Sequence, residues 1–135
     1  MIVDDWYARA VFFVSDGERA LRFYTEKLGF KVDWKYEYEG RADVFQVKLH
    51  GFALILNQGY AETEARVGQG RVFIGLDDGE QTESLRRHIE ERAIETTVEH
   101  WGKPTRVIRD LDGNELFFWP SLTEADGDWR DRSPE

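Results

Sequence analysis

The sequence contains an internal repeat. The stretch VFFVSDGE, which begins at Val11, returns as VFIGLDDGE at Val72, and GFALIL at Gly51 returns as GNELFF at Gly113, 62 positions later. Two matches at nearly one offset indicate a duplicated unit. A chain of 135 residues suffices for one domain with a sizeable core but not for two. The two copies are therefore expected to share a core.

The first copy predicts the order strand, helix and three strands. Ser15 and Glu18 have the spacing of a capping box, with Asp16 as a competing N-cap, so a helix should begin there. Gly29 supplies the left-handed residue that often ends a helix. Residue types and turn signals place the strands at 8–14, 30–38, 43–49 and 52–58.

The second copy predicts the same order. Its helix should follow an N-cap at Asp77 or Asp78 and carry Leu85, Ile89 and Ala93 on its inward side. Strands are predicted at 71–76, 94–100, 105–110 and 115–120. The predicted fold class is α+β, with two tandem βαβββ modules at about residues 8–57 and 71–119 of a single domain, 1–120.

Two segments lie outside this pattern. The stretch 59–70, GYAETEARVGQG, has no apolar period and predicts a linker or the rim of a pocket. The acidic C-terminal tail, 121–135, also has little apolar periodicity, which is typical of a segment outside the core.

Composition argues against several kinds of partner. A formal net charge of −9 opposes binding to the phosphates of nucleic acid. No apolar run approaches the roughly 20 residues that span a bilayer. The N-terminus lacks the pattern of a signal peptide, and there is no cysteine for a disulfide or a thiolate site. These features predict a cytoplasmic protein with no nucleic-acid or membrane partner.

Two runs carry a family resemblance. VSDGERALRFYTEKLGFKV and HWGKPTRVIRDLDGNELFF resemble the opening and closing segments of the vicinal oxygen chelate superfamily, which contains glyoxalases, extradiol dioxygenases and bleomycin resistance proteins. The resemblance covers roughly residues 8–120. It implies the glyoxalase/bleomycin resistance fold, in which βαβββ modules curl into half-open barrels around a ligand or metal, and it implies a homodimer. Function varies within such a fold.

Enzymes of this superfamily hold a divalent metal with His, Gln or Glu from the first and last strand of each module. Counted from the shared motifs, the corresponding positions are Arg9, Ile55, Arg71 and Phe117. Arginine keeps its proton and offers no lone pair, and Ile and Phe have no donor atom. We therefore expect no metal, no other cofactor and no catalytic residue.

Apolar side chains are expected on the face that carries these positions. Alternation along the strands places Phe13, Ile55, Phe73 and Phe117 there, with Trp119 at the end. These rings either line a binding cavity or fill a small barrel as core. Glu115 lies on the same strand face as Phe117 and is the carboxylate most expected to face the cavity.

An aromatic row follows the second strand. Trp34, Tyr36 and Tyr38 alternate with charged residues, which is typical of a binding surface or a dimer seam. In bleomycin resistance proteins, a metal-free dimer binds a large, cationic, planar drug between subunits with aromatic and acidic side chains. Asp33 and Trp34 in LGFKVDW, and Trp101 in HWG, resemble residues of that crevice. The N-terminal DDWYARA is a candidate for exchange between subunits.

The sequence thus predicts a metal-independent homodimer that binds and sequesters an antibiotic-like small molecule, aromatic and cationic. Arg9 and Arg71 depart from this pattern, because they would repel a cation unless Glu115 or Glu37 neutralises them. They leave room for an anionic or carbonyl-bearing ligand. The alternative is a metal-dependent lyase, isomerase or dioxygenase whose ligands lie elsewhere. A domain used only for protein–protein contact is a third interpretation.

Overall fold

The computed structural model of the chain describes residues 6–76, 79–100 and 104–119. The strands are β1 (Ala10–Val14), β2 (Lys31–Tyr38), β3 (Arg41–Leu49), β4 (Phe52–Gln58), β5 (Arg71–Gly75), β6 (Thr97–His100), β7 (Pro104–Arg109) and β8 (Glu115–Trp119). Helices α1 (Gly17–Arg22) and α2 (Glu80–Glu91) follow β1 and β5. The predicted βαβββ order is confirmed in both modules. The acidic tail and the two candidate caps before α2 lie outside the described residues.

Each module forms one open sheet of four strands. The strand order is β1-β4-β3-β2 in the first sheet and β5-β8-β7-β6 in the second. The pairs β1–β4 and β5–β8 are parallel, and the other pairs are antiparallel. Neither sheet closes on itself, so β2 and β6 are outer strands. No helix among the described residues is long and apolar enough to cross a membrane.

One face of each sheet packs against the helices in a shared core. The strands contribute alternate buried residues to it, among them Phe12, Val14, Leu54 and Leu56 from the first module and Ile74, Leu116 and Phe118 from the second. Leu21 of α1 and Leu85 of α2 belong to the same cluster. The expectation that the duplicated modules share a core is confirmed.

Helix α1 begins at one of the two predicted N-caps, and its hydrogen-bonding pattern then changes from α to π. Asp16 is the N-cap, because its side chain accepts a hydrogen bond of 3.1 Å from the backbone N–H of Arg19. After six residues α1 continues as a π-helical segment, Phe23–Lys27, that ends in a bond of 3.2 Å from Leu28 N to the Phe23 carbonyl. Gly29 follows with φ of 83°, as its predicted role in ending the helix requires.

The prediction that Ala93 faces inward is wrong. Helix α2 ends at Glu91, and Ala93 is an exposed turn residue with φ of 51°. Ile94 packs against the core instead, after its backbone N–H closes the helix on the Ile89 carbonyl at 3.1 Å. Residues 94–96, which follow this turn, are not in a strand, so β6 begins at Thr97 rather than at 94.

The segment between the modules is ordered by contacts with both of them. It contains a 3₁₀ helix, Ala61–Arg66. Beyond that helix, Gly70 N donates to Asn114 Oδ1 at 2.8 Å, and Asn114 Nδ2 donates to the Phe13 carbonyl at 3.0 Å. One side chain from the loop before β8 therefore holds both the linker and the first strand.

Candidate functional site

The face of the first sheet that points away from the helices carries several predicted site residues. Phe12 and Val14 are buried in the core, so Phe13 between them points to the other side, where it is half-buried. Strand register extends this surface, the first open face, through Val11, Phe13, Ile55, Asn57, Val44, Gln46, Trp34 and Tyr36. Of the four apolar residues predicted to share one face, this surface holds Phe13 and Ile55, together with Trp34 and Tyr36 of the aromatic row.

The aromatic row of β2 lies at the outer edge of this face. Trp34 pairs with Gln46 and Tyr36 with Val44, and the two aromatic side chains are 41% and 54% exposed. Residues 31–37 are exposed on both sides of the strand. The prediction of exposed rings on β2 is confirmed for these two residues, and they leave a large apolar area open to solvent.

A register shift brings a carboxylate beside Trp34. Between Val32 and Trp34, β2 has an extra residue, Asp33, that has no pairing partner on β3. Its Oδ2 accepts a hydrogen bond of 2.6 Å from Gln46 Nε2, and its Oδ1 lies 3.5 Å from Lys48 Nζ. Since Gln46 belongs to the first open face and pairs with Trp34, the Asp33 carboxylate lies on that face beside the residue opposite Trp34.

The corresponding surface of the second sheet, the second open face, is more strongly charged. The register of β5 with β8 pairs Arg71 with Glu115 and Phe73 with Phe117, and Trp119 follows at the end of β8. Phe73 is 52% exposed, whereas Phe117 is buried beneath the Arg71 guanidinium, 4.7 Å from its ring centroid. Of the two interpretations of these rings, an open surface describes Phe73 and a packed interior describes Phe117.

Glu115 holds two arginines. Arg71 Nε lies 3.0 Å and Arg109 Nη2 lies 2.8 Å from its two carboxylate oxygens. The arginine at the predicted position 71 is therefore neutralised by the carboxylate that the sequence suggested. Arg109 was missed, although the short turn between β7 and β8 already places it opposite Glu115.

Arg9 and Phe73 meet at a cavity between the modules. The cavity has a volume of about 520 Å³ and is also lined by His50, Phe52 and Gln81 among others. Arg9 itself is exposed, with its guanidinium 4.3 Å from the Tyr7 ring centroid. This places Arg9 at the boundary of the two modules rather than inside either open face.

A second cavity was not foreseen. It has a volume of about 600 Å³, and we call it the Asp43 cleft; it is lined by Tyr36, Glu39, Arg41, Asp43, Val44, Asn57, Tyr60 and Glu62. Tyr60 and Glu62 come from the inter-module segment, so the predicted pocket rim is present. No sequence pattern indicated Asp43, because its position depends on a second register shift, between Tyr36 and Glu37.

The residues present do not fit the metal centre that enzymes of the resembled superfamily use. The four corresponding positions carry two arginines, an isoleucine and a phenylalanine, none of which offers a lone pair to a cation. Within the described residues, no three His, Cys, Asp or Glu side chains come together as potential ligands.

The structure thus divides the predicted site between two surfaces. The first open face holds Phe13, Asp33, Trp34, Tyr36 and Ile55, and the second holds Arg71, Phe73, Glu115, Phe117 and Trp119. Trp101 lies outside the described residues, so its place in a crevice stays a prediction.

Comparison with known proteins identifies the family. The model of the Glyoxalase/Bleomycin resistance protein/Dioxygenase superfamily matches residues 6–118. The chain belongs to this superfamily. No curated protein gives a significant match.

Solved structures of superfamily members and their relatives share the fold. A bleomycin-binding protein from Streptomyces verticillus, complexed with copper(II)-bleomycin, matches with a TM-score of 0.62 and 21% identity over 87% of this chain and 97% of that one. TnmS3, an antibiotic-binding protein from Streptomyces sp. CB03234, matches with a TM-score of 0.57 and 24% identity, over 84% of this chain and 94% of that one. Lactoylglutathione lyase from Agrobacterium tumefaciens matches with a TM-score of 0.59 and 19% identity, over 86% of this chain and 97% of that one. Two binding proteins and one enzyme on one fold mean that fold alone does not decide the function.

Proposed function

We propose that the protein binds and sequesters an antibiotic-like small molecule without a metal ion. The observation that carries this proposal is the juxtaposition of the Asp33 carboxylate with the exposed rings of Trp34 and Tyr36 on the first open face. Aromatic rings offer flat surfaces on which a planar ligand can stack, and a neighbouring carboxylate favours a cationic group on that ligand. The antibiotic-binding relatives support the proposal at the level of the superfamily.

The ligand would be held between two copies of the chain. Strand β2 is an outer strand of eight residues, exposed on both sides, and it carries Val32, Trp34 and Tyr36 in the open. Exposed strand edges with apolar side chains are commonly covered by a partner. Trp6 and Tyr7 before β1 are 98% and 78% exposed, which supports exchange of the N-terminal segment between subunits. Light scattering at micromolar concentration should give the mass of a dimer, and a monomeric mass would contradict this arrangement.

A metal-dependent lyase, isomerase or dioxygenase is the competing function. It requires ligands at positions other than Arg9, Ile55, Arg71 and Phe117. Elemental analysis of protein purified without chelator separates the two functions. About one divalent ion per subunit would overturn the metal-independent proposal.

The direct test is a thermal-shift screen with three ligand classes: cationic glycopeptide drugs, aromatic carboxylic acids and thiol conjugates. A ligand that binds only the folded state raises the unfolding temperature, because it stabilises that state by RT ln(1 + [L]/Kd). The proposal expects the largest shift with a planar cationic drug. A shift confined to thiol conjugates, the ligands of a glyoxalase-type enzyme, would contradict it.

A further inference from the structure

Asp43 presents an incompletely bonded carboxylate to the Asp43 cleft. The residue is only 6% exposed, and its Oδ2 accepts the hydrogen bond of the Tyr60 phenol. Its other oxygen, Oδ1, has no hydrogen-bond partner among the described atoms. Arg41 Nε lies 3.0 Å from Oδ1, so the charge of this oxygen is balanced by an ion pair with an exposed side chain. A buried carboxylate oxygen without a donor is unfavourable unless another group supplies one.

Arg41 is an exposed counter-ion for this carboxylate, and its guanidinium also lies 5.5 Å from the Tyr60 ring centroid. Its side chain is 62% exposed, and it stands at the first residue of β3, at the lip of the cleft. Its Nη2 donates to the Tyr60 phenol at 3.0 Å rather than to Asp43. Ion pairs made by exposed, long side chains are screened by water and lose side-chain entropy, so they are readily replaced.

The walls of the cleft suit a flat cation. Tyr36 and Val44 provide apolar surface, and the Asn57 amide supplies a neutral polar contact. Glu39 and Glu62 line the same cleft and add negative potential to that of Asp43. A planar amidinium or guanidinium matches a carboxylate with two parallel N–H donors, which a compact ammonium does not.

We propose that the Asp43 cleft is a binding subsite for an aryl amidine or aryl guanidine group, which replaces Arg41 as the partner of Asp43. The cationic group donates to Oδ1, and the attached ring lies between Tyr36 and the Tyr60 segment. This inference deepens the proposed function, on which it rests because Tyr36 belongs both to the first open face and to the cleft. The ligand class is thereby narrowed from a cation in general to a planar, delocalised one.

The test is a titration of the intact protein with benzamidine, followed by NMR or calorimetry, with neutral benzamide of the same shape as the comparison. Benzamidine should bind at least about tenfold more tightly than benzamide, because only the cation pairs with the carboxylate. Asp43→Asn, which keeps an acceptor for Tyr60, should remove this preference. Arg41→Met should strengthen benzamidine binding several-fold, because it removes the competing cation.

The direction of the Arg41→Met effect distinguishes a subsite from a purely structural ion pair. Weaker binding in that variant would overturn the proposal, and so would equal affinities for benzamidine and benzamide in the unaltered protein. Both measurements keep Asp43 in place, so they remain decisive if Asp43→Asn fails to fold. Glu62→Gln is the matched control for general acidity. If it removed as much of the preference for benzamidine over benzamide as Asp43→Asn does, the proposal would also be overturned.

Failure of this inference is separable from failure of the proposed function. If a planar drug binds in a Trp34-dependent manner while benzamidine does not bind, the subsite alone is refuted. If benzamidine binds with the expected dependence on Asp43 while no drug of any class shifts the unfolding temperature, the sequestering function alone is refuted.

Discussion

The phenol of Tyr24 donates a hydrogen bond of 2.9 Å to Oδ2 of Asp110, 86 positions later in the chain. Tyr24 lies fully buried in the π-helical segment of the first module, and Asp110 begins the loop before the last strand of the second. The same carboxyl group accepts from Asp112 N, Asn114 N and Asn114 Nδ2. Burial raises the pKa of Asp110 above its ordinary value, and the donors only partly offset this. The hydrogen bond from Tyr24 to Asp110 therefore connects the two modules through buried polar groups.

Tyr24→Phe should change stability in a pH-dependent manner. Burial, and then the charge of Asp110, raises the pKa of Tyr24 well above its ordinary value. From about pH 10 upward, the unfolded chain loses the phenolic proton while the folded chain keeps it, so stability falls by up to about 1.4 kcal/mol per pH unit. Tyr24→Phe has no phenolic proton at this position, so its stability does not fall for this reason. At neutral pH it should be less stable by about 1–2 kcal/mol, because Asp110 loses a donor.

Urea unfolding of both proteins at about pH 8 and about pH 11 measures this difference. The gap between the two free energies of unfolding should narrow as the pH rises. Parallel curves would show that Tyr24 ionises equally in both states.

Gly68 and Gly40 form a matched pair for testing the packing of the linker. Their φ angles are 76° and 77°, but a Cβ at Gly68 would lie 2.1 Å from the Asp112 carbonyl oxygen, whereas at Gly40 no described atom lies within 4 Å. Gly40→Ala should cost only the left-handed backbone, about 1–2 kcal/mol. Gly68→Ala should cost at least about 3 kcal/mol, because backbone must also move. Equal losses in chemical denaturation would mean that the linker does not pack against that loop.

Glu115→Gln should convert the second open face into an anion-binding surface. It removes the charge that neutralises Arg71 and Arg109, while the exposure of both arginines limits the loss of stability to about 1 kcal/mol. Anilinonaphthalene sulfonate, an aromatic anion, should bind several-fold more tightly in a fluorescence titration. Glu18→Gln makes the same charge change on an exposed position of α1 and should have little effect. Equal gains in both variants would assign the effect to net charge alone.

Trp34→Ala should weaken binding of a planar ligand found by screening, because stacking on an aromatic ring contributes about 1–3 kcal/mol. Trp34→Phe should retain much of that affinity. Since Trp34 is 41% exposed, the stability loss should stay well below the about 3–5 kcal/mol of a buried tryptophan.

Leu111→Ala, at a loop residue that is 50% exposed, is the control for loss of a surface apolar group. Trp34→Ala that unfolds the protein while the folded fraction binds normally would assign the indole to the core. The same comparison with Trp101→Ala tests the crevice prediction for that residue.

The alternation of residue types was sufficient to predict the strands and the faces of β1, β4, β5 and β8. It failed where the backbone departs from regular geometry. Asp33 and Asp43 reach their positions through extra residues in β2 and β3, and a pattern of period two carries no signal for such shifts. The Asp43 cleft also depends on Tyr60, which reaches it from a segment without apolar periodicity. Asp33 was therefore named only through the family resemblance, and Asp43 was missed, although Arg109 was missed on regular strands as well.

Equivalent positions in the two sheets have diverged less on the core side than on the open side. On the core side, Leu54 corresponds to Leu116, and both are fully buried. On the open side, Ala53 corresponds to Glu115, and Asn57 to Trp119. Packing constrains the first pair in both copies, whereas the other four residues lie outside the core cluster that the described residues form. A gene duplication of this kind leaves two surfaces on one scaffold that can be selected independently, so new specificity can evolve in one copy while the other keeps its own.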